Sequence, residues 1–222
     1  VTGASGGIGL ATALGLAKLG YGLRIVGRTP AKLDAAVEKI RAITPDVHGY
    51  RADFSSLAEV RTLAETILSR DEPLHVLVNN AGVWNAEFRR SADGYEDTFA
   101  VNHLAPFLLT QRLLPRMRQS DGDRRIVHVS SRLHRQAGTA KSAMSRLFNV
   151  LNLSALLPNG GPQAVFDFEA LDQDTGYRGL EAYARSKLAQ VIISAEFARR
   201  ESEITSNVVH PGSVQTDVTR GT

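Results

Sequence analysis

Thr2-Gly3-Ala4-Ser5-Gly6-Gly7-Ile8-Gly9 is the stretch that decides how the rest of the chain is read. Ahead of it, Val1 and Thr2 read as the end of a β-strand; behind it, Leu10 to Leu19 carries apolar residues at helical spacing. A glycine cluster by itself is only a tight turn. Set between a strand and a helix, it lets the backbone turn sharply and lets a phosphate approach main-chain N–H groups at the positive end of a helix dipole. That context is the one a dinucleotide-binding fingerprint requires.

Outward from the turn the chain keeps one rhythm. Leu23 to Val26 is a short β-rich run, Ala31 to Ile43 has Leu33, Val37 and Ile40 at helical intervals before Pro45 stops it, and Val47 to Ala52 reads as a third strand. Leu57 to Leu68 is helical. Leu74 to Val78 is an almost unbroken apolar run, as expected of a strand buried on both faces. A helix over Tyr95 to Met117, a strand at Arg125 to Val129, a helix from Glu181 to Arg199 and a strand at Ile204 to Val209 complete the series. Strands separated by helices of this length imply right-handed crossovers. The expected fold class is therefore α/β, a doubly wound parallel sheet, with residues 1–222 forming one domain.

Only Arg132 to Leu180 breaks the rhythm, being too long for an ordinary connection and holding its own breaker cluster at Pro158 to Pro162. It reads as an insertion with structure of its own. Within it Met144, Leu147, Phe148 and Leu151 follow each other as one apolar helix face would. Because the insertion leaves and rejoins the chain at the carboxyl edge of the sheet, that helix is expected over or beside a substrate pocket, with packing against the flanking helices as the plainer alternative.

Composition narrows the function classes. At 222 residues and 43% hydrophobic, the chain can bury one sizeable core. The balance of 26 Lys and Arg against 23 Asp and Glu leaves only +3, and the basic residues are dispersed, which argues against nucleic acid as a partner. With no cysteine there is no disulfide framework, thiolate metal site or Cys nucleophile, and a reducing, cytoplasmic setting is compatible. His103, His128, His134 and His210 are scattered without ligand spacing, so no metal site is expected. No apolar run reaches the ~20 residues that span a bilayer. The chain opens on Val1 rather than methionine, already inside a strand, so its start reads as truncated and an upstream anchor stays open.

Two further positions carry chemistry. At the end of the second strand, where a dinucleotide fold meets the adenosine ribose, an acid would accept from a 2′-hydroxyl; here stands Gly27-Arg28-Thr29. Arg28 and the missing acid together favour NADP(H). In Tyr183-Ala184-Arg185-Ser186-Lys187, a spacing of four puts phenol and ammonium on one helix face. A nearby positive charge would bring the tyrosine toward its working pH and make it a general acid or base. Such a pair occurs often by chance on solvated helices, and its weight comes from its company. Trp84, just past Asn80-Ala81-Gly82, reads as packing, with a place in the pocket as the alternative.

In that company the chain resembles the short-chain dehydrogenases/reductases. Thr2 to Gly9, Asn79 to Gly82, Asn102, Ser131, Tyr183 to Lys187, and Pro211-Gly212 with Thr216 stand in that family's order. Asn102 to Thr110, Ser186 to Ala189 and His210 to Gly212 are similar in detail to its retinol dehydrogenase and protochlorophyllide reductase branch. The resemblance implies a Rossmann-type fold in which Gly3, Ser5, Gly7, Ile8 and Gly9 hold the cofactor, and Asp53, Asn80, Ala81 and Gly82 flank its adenosine side. Pro211, Gly212, Val214 and Thr216 would close over the nicotinamide. It further implies a tetrad in which Tyr183 transfers the proton, Ser131 bonds the substrate oxygen, Lys187 holds the ribose and Asn102 keeps a water against Lys187. The activity so implied is alcohol–carbonyl interconversion on a small or medium apolar substrate, by a homodimer. Reduction of a C=C bond, or cofactor binding without turnover, are the alternatives. Two departures stand out: the segment between Ser131 and Tyr183 is much longer than is common in the family, and the chain stops soon after Thr216.

Overall fold

A computed structural model describes residues 1–137, 171 and 174–212 of the chain. β1 (Leu23–Gly27) pairs in parallel with β2 (Val47–Arg51), while β3 (Val76–Asn79) pairs in parallel with β4 (Arg124–Val129), and β4 likewise with β5 (Ile204–Val209). The start of the chain joins these two sheets. Thr2 bridges Val26 in parallel, Val26 N–H donates to the Val1 carbonyl at 3.0 Å, and Thr2 N–H donates to the Val78 carbonyl at 3.0 Å. The order across the molecule is therefore β2, β1, residues 1–2, β3, β4, β5, with the chain running outward from its first segment in both directions.

Among the described residues six α-helices flank this surface: α1 (Gly7–Lys18), α2 (Pro30–Arg41), α3 (Leu57–Leu68), the short α4 (Asp97–Phe99), α5 (Ala105–Gln119) and α6 (Gly179–Arg200). Successive side chains of β1 divide between two cores, as the pleat requires. Ile25 packs with Leu33, Val37 and Ile40 of α2 and with Ala13 and Ala17 of α1. Val26 points the other way, into a core with Leu63 of α3, Leu109 and Leu113 of α5, and Phe197 of α6. In α5 the buried residues Ala105, Leu109, Leu113 and Met117 recur every four positions, so one stripe of the helix lies on the sheet.

The elements differ from the sequence reading at places that matter for the site. α1 begins at Gly7 rather than Leu10, so the helix N-terminus is already inside the glycine cluster. β3 starts and ends later than Leu74 to Val78. The segment Tyr95 to Met117 is not one helix: α4 runs into a π-helical turn, Ala100–Leu104, before α5 begins. Pro106 supplies the reason, since it has no N–H for the Asn102 carbonyl four residues back. The apolar stripe from Met144 to Leu151, with its expected position over a pocket, lies outside the described residues. Among the described residues no helix is long and apolar enough to cross a membrane.

Candidate active site

Among the described residues β1 to β5 deliver their carboxyl ends to one cleft of about 490 Å³. It is lined by Gly27 and Arg28 after β1, Ala52 to Phe54 after β2, Asn80 to Asn85 after β3, Val129 to Ser131 after β4, and His210 to Gly212 after β5. The cleft straddles the point where the chain departs in both directions from its first segment, which is where open α/β sheets take their ligands.

On the β1–β2 side the walls are main chain. Gly3 has φ +63°, and a Cβ there would lie 2.8 Å from the Ala81 Cα. A Cβ on Gly9 would lie 2.3 Å from the Gly3 carbonyl oxygen, so helix and turn touch backbone to backbone. Asn80 and Ala81 hold the turn from the end of β3: the Thr2 hydroxyl accepts from Asn80 and Ala81 N–H at 3.0 Å each, and Asn80 Nδ2 donates to the Thr2 carbonyl at 2.9 Å. Ser5, Gly6, Gly7 and Ile8 then line the cleft, and Gly6 offers α1 no side-chain cap. Bare N–H groups at a helix start, in a cradle that a single Cβ would fill, fit a pyrophosphate. Arg28, Thr29, Lys32 and Asp53 line the adjoining corner, so the residues present also fit the adenosine end of a dinucleotide.

On the β4–α6 side the walls are buried polar side chains. Ser130 turns inward and its hydroxyl donates to the Lys187 carbonyl at 3.0 Å, while Ser131 faces the cleft that Tyr183 also lines. Lys187 is 4% exposed; its Nζ donates to the Val129 carbonyl at 3.0 Å and to Gln190 Oε1 at 3.1 Å, and lies 5.4 Å from the centroid of the Tyr183 ring. Burial pushes the Lys187 ammonium down to about 8. The Tyr183 phenol is raised above its ordinary value by burial, with the Ser131 hydrogen bond working against the rise. Lys187 does not bring the phenol down as expected, and desolvation sets the direction of the shift. Asn102, wholly buried in the π-helical turn, accepts Val83 N–H at 2.8 Å and donates to the Val83 carbonyl and the Ser186 hydroxyl at 2.9 Å each.

Residues 1–146 match the short chain dehydrogenase family. The chain belongs to that family. Retinol dehydrogenase 13 of Homo sapiens is 36% identical over 227 residues, covering 100% of this chain and 60% of the relative. Retinol dehydrogenase 12 of Mus musculus is 34% identical, with 99% and 62% covered. The chain thus spans about three fifths of the length of these relatives. Among solved structures, the Pseudomonas aeruginosa RhlG/NADP active-site complex matches with a TM-score of 0.70 at 27% identity, covering 99% of this chain and 73% of that one. A metagenomic short-chain oxidoreductase in complex with NADP matches at 0.67 and 27%, with 96% and 81% covered.

Within this short-chain dehydrogenase fold, most of the sequence-derived positions meet in the cleft: Gly3, Ser5, Gly7 and Ile8, Arg28 and Asp53, Asn80 to Gly82, Ser131, Tyr183, Lys187, Pro211 and Gly212 all line it. Gly9 and Asn102 stand behind the wall rather than in it. Val214 and Thr216 lie outside the described residues. His134 is bound back to its own turn, Nδ1 lying 2.6 Å from the Ser131 carbonyl oxygen. Trp84 lines the cleft rather than merely packing, and its Nε1 is buried with no hydrogen-bond partner among the described residues. Gln190, one turn beyond Lys187 on α6 and hydrogen-bonded to it, is a residue that no motif or spacing in the sequence marked.

Proposed function

We propose that this chain is an NADP(H)-dependent oxidoreductase that interconverts an alcohol and a carbonyl on a small or medium apolar substrate. The observation that carries this reading is the meeting of Tyr183, Ser131 and Lys187 in the same cleft as the glycine turn and Arg28. The retinol dehydrogenase names of the relatives support an apolar alcohol as substrate class. Bound along the cleft, the reduced dinucleotide would supply the hydride.

The chain's own residues do the rest. As a carbonyl is reduced, negative charge grows on its oxygen, and donors already fixed at that point lower the barrier. Ser131 and Tyr183 present two hydroxyls in that cleft. A phenol held above its ordinary value is protonated at neutral pH, the form that can pass its proton to the carbonyl oxygen. Lys187, at about 8, keeps its charge at pH 7 and places it beneath the Tyr183 ring, where it stabilises the phenolate left after donation. Arg28 gives the 2′-phosphate a charge-assisted partner.

The test is a turnover screen of the purified protein with NADPH and NADH against aldehydes, ketones, retinoids and steroids. Oxidation of NADPH with an apolar carbonyl is expected. Binding of NADPH with no turnover on any of them would leave a cofactor-binding protein instead.

A further inference from the structure

Gln190 lies one turn beyond Lys187 on α6 and is 1% exposed. Its side chain has two partners. Nε2 donates to the Asn102 carbonyl at 2.7 Å, and Oε1 accepts from Lys187 Nζ at 3.1 Å. The partners fix which way the amide points, because the reverse orientation would set an NH2 against an ammonium and an oxygen against a carbonyl, losing both bonds.

Each partner also has a reason to need it. Pro106 has no N–H for the Asn102 carbonyl, and a buried carbonyl without a donor is costly. Lys187 is buried against neutral acceptors, with no carboxylate bonded to it among the described residues. An ammonium has three protons. Two are taken by Val129 and Gln190, which leaves one for the cleft that Lys187 lines.

We propose that Gln190 is a positioning residue for Lys187, tying the ammonium to the Asn102 carbonyl so that a single N–H is left to face the cleft. The proposal rests on the role given to Lys187 above. The link holds the ammonium in position and keeps its remaining N–H for the cleft.

The groups that face Lys187 are Tyr183 on its own helix, His128 on β4 with His103 beside it in the π-helical turn, and His210 across the cleft. Burial keeps both His103 and His128 down to about 4, so they are neutral where Lys187 titrates. Titration followed at the lysine's own resonance excludes His210 from the reading.

The test is a pH titration of ¹³C-labelled lysine by NMR in the free protein, with the Lys187 signal assigned by loss in Lys187→Met. Gln190→Met keeps the length and removes the acceptor, and should lower the Lys187 pKa by about one unit. Gln190→Glu keeps an acceptor and adds a charge, and should raise it. A general packing fault would move both variants the same way. An unmoved Lys187 in Gln190→Met, or shifts of one sign in both, overturns the proposal; if Gln190→Met does not fold, an unmoved or lowered value in Gln190→Glu does so alone. In turnover, Gln190→Met should lose about tenfold in kcat while the KM for the carbonyl is kept. If the unaltered protein turns nothing over, the functional reading fails while the titration still judges Gln190.

Discussion

At the β1–β2 end of the cleft the walls are glycine backbone and uncapped helix N–H groups, contributed by one run of eight residues and steadied by its neighbour strand. At the β4–α6 end they are Ser131, Tyr183 and Lys187, with Gln190 and Asn102 behind them, drawn from three separate segments. The first end is a shape and tolerates little added volume. The second is an arrangement of charges and protons, and tolerates little change of chemistry. If that contrast holds, the two ends fail separately when each is damaged in its own way.

The largest effect is expected at the side-chain end. Tyr183→Phe deletes the transferable proton and little else, so kcat should fall roughly 100- to 10,000-fold while NADPH affinity, set at the main-chain end, stays within about twofold. Measuring both on one preparation separates the ends. A Phe variant that kept most of its kcat would end the assigned chemistry.

The side-chain end also has a buried liability in acid. His103 and His128 are both pushed down to about 4, chiefly by burial, and neither nitrogen of the His128 ring has a hydrogen-bond partner among the described residues. The native state holds both rings neutral, whereas the unfolded chain takes up protons from about pH 6.5 downward. Stability from these rings is therefore intact above pH 6.5, is lost as pH falls toward 4, and changes no further below that, with roughly 3 kcal/mol at stake per ring. Urea unfolding at pH 7.5 and pH 5.0 reads the loss. The double variant His103→Leu/His128→Leu should flatten it, and an equally steep profile in that variant would assign the acid sensitivity elsewhere.

The same contrast governs what could be read from the letters. The glycine turn, the strands and their parallel sheet were legible because local geometry selects for local sequence: glycine where Gly3 and Ala81 meet, apolar runs where strands are covered on both faces. Tyr183, Lys187 and Ser131 were legible through the company they keep. Gln190 was not, because its meaning depends on a carbonyl 88 positions away and on the missing N–H of Pro106. Helical periodicity likewise ran straight through the π-helical turn, which shifts the register by one residue without changing the apolar pattern. Tyr177 is a further case. Its hydroxyl reaches the Glu96 carboxylate at 2.9 Å and pins the chain's return from the long insertion to the cap of α4, a contact with no counterpart in spacing or motif.

At the main-chain end, Gly9→Ala should do the converse of Tyr183→Phe. The added Cβ meets the Gly3 carbonyl, which is backbone and has no rotamer to yield, so overpacking of about 1–3 kcal/mol falls on the turn. NADPH binding by fluorescence titration should weaken about tenfold or more, converted at ~1.4 kcal/mol per decade. A folded variant with unaltered affinity would show that the turn does not carry the phosphates.

The smallest effect concerns which dinucleotide this end prefers. Arg28 follows β1 where an acid would otherwise accept a ribose 2′-hydroxyl, and Thr29, next to it, caps α2 without a side-chain bond, so the first N–H groups of that helix remain open to the same corner. A 2′-phosphate there would meet a guanidinium, a helix start and the Lys32 side chain that lines the same wall. Arg28 is exposed, and water screens an exposed pair, which keeps its worth near the lower end of charge-assisted bonds. Arg28→Ala should therefore weaken NADPH about tenfold and leave NADH unchanged. Arg28→Asp should invert the preference by repelling the phosphate and accepting from the hydroxyl. Since neither change touches Ser131, Tyr183 or Lys187, kcat at saturating cofactor should be kept in both. A fall in kcat with cofactor affinity unmoved would mean that the two ends are coupled after all, whereas equal kcat/KM for NADPH and NADH in the unaltered protein would remove Arg28 from the specificity argument altogether.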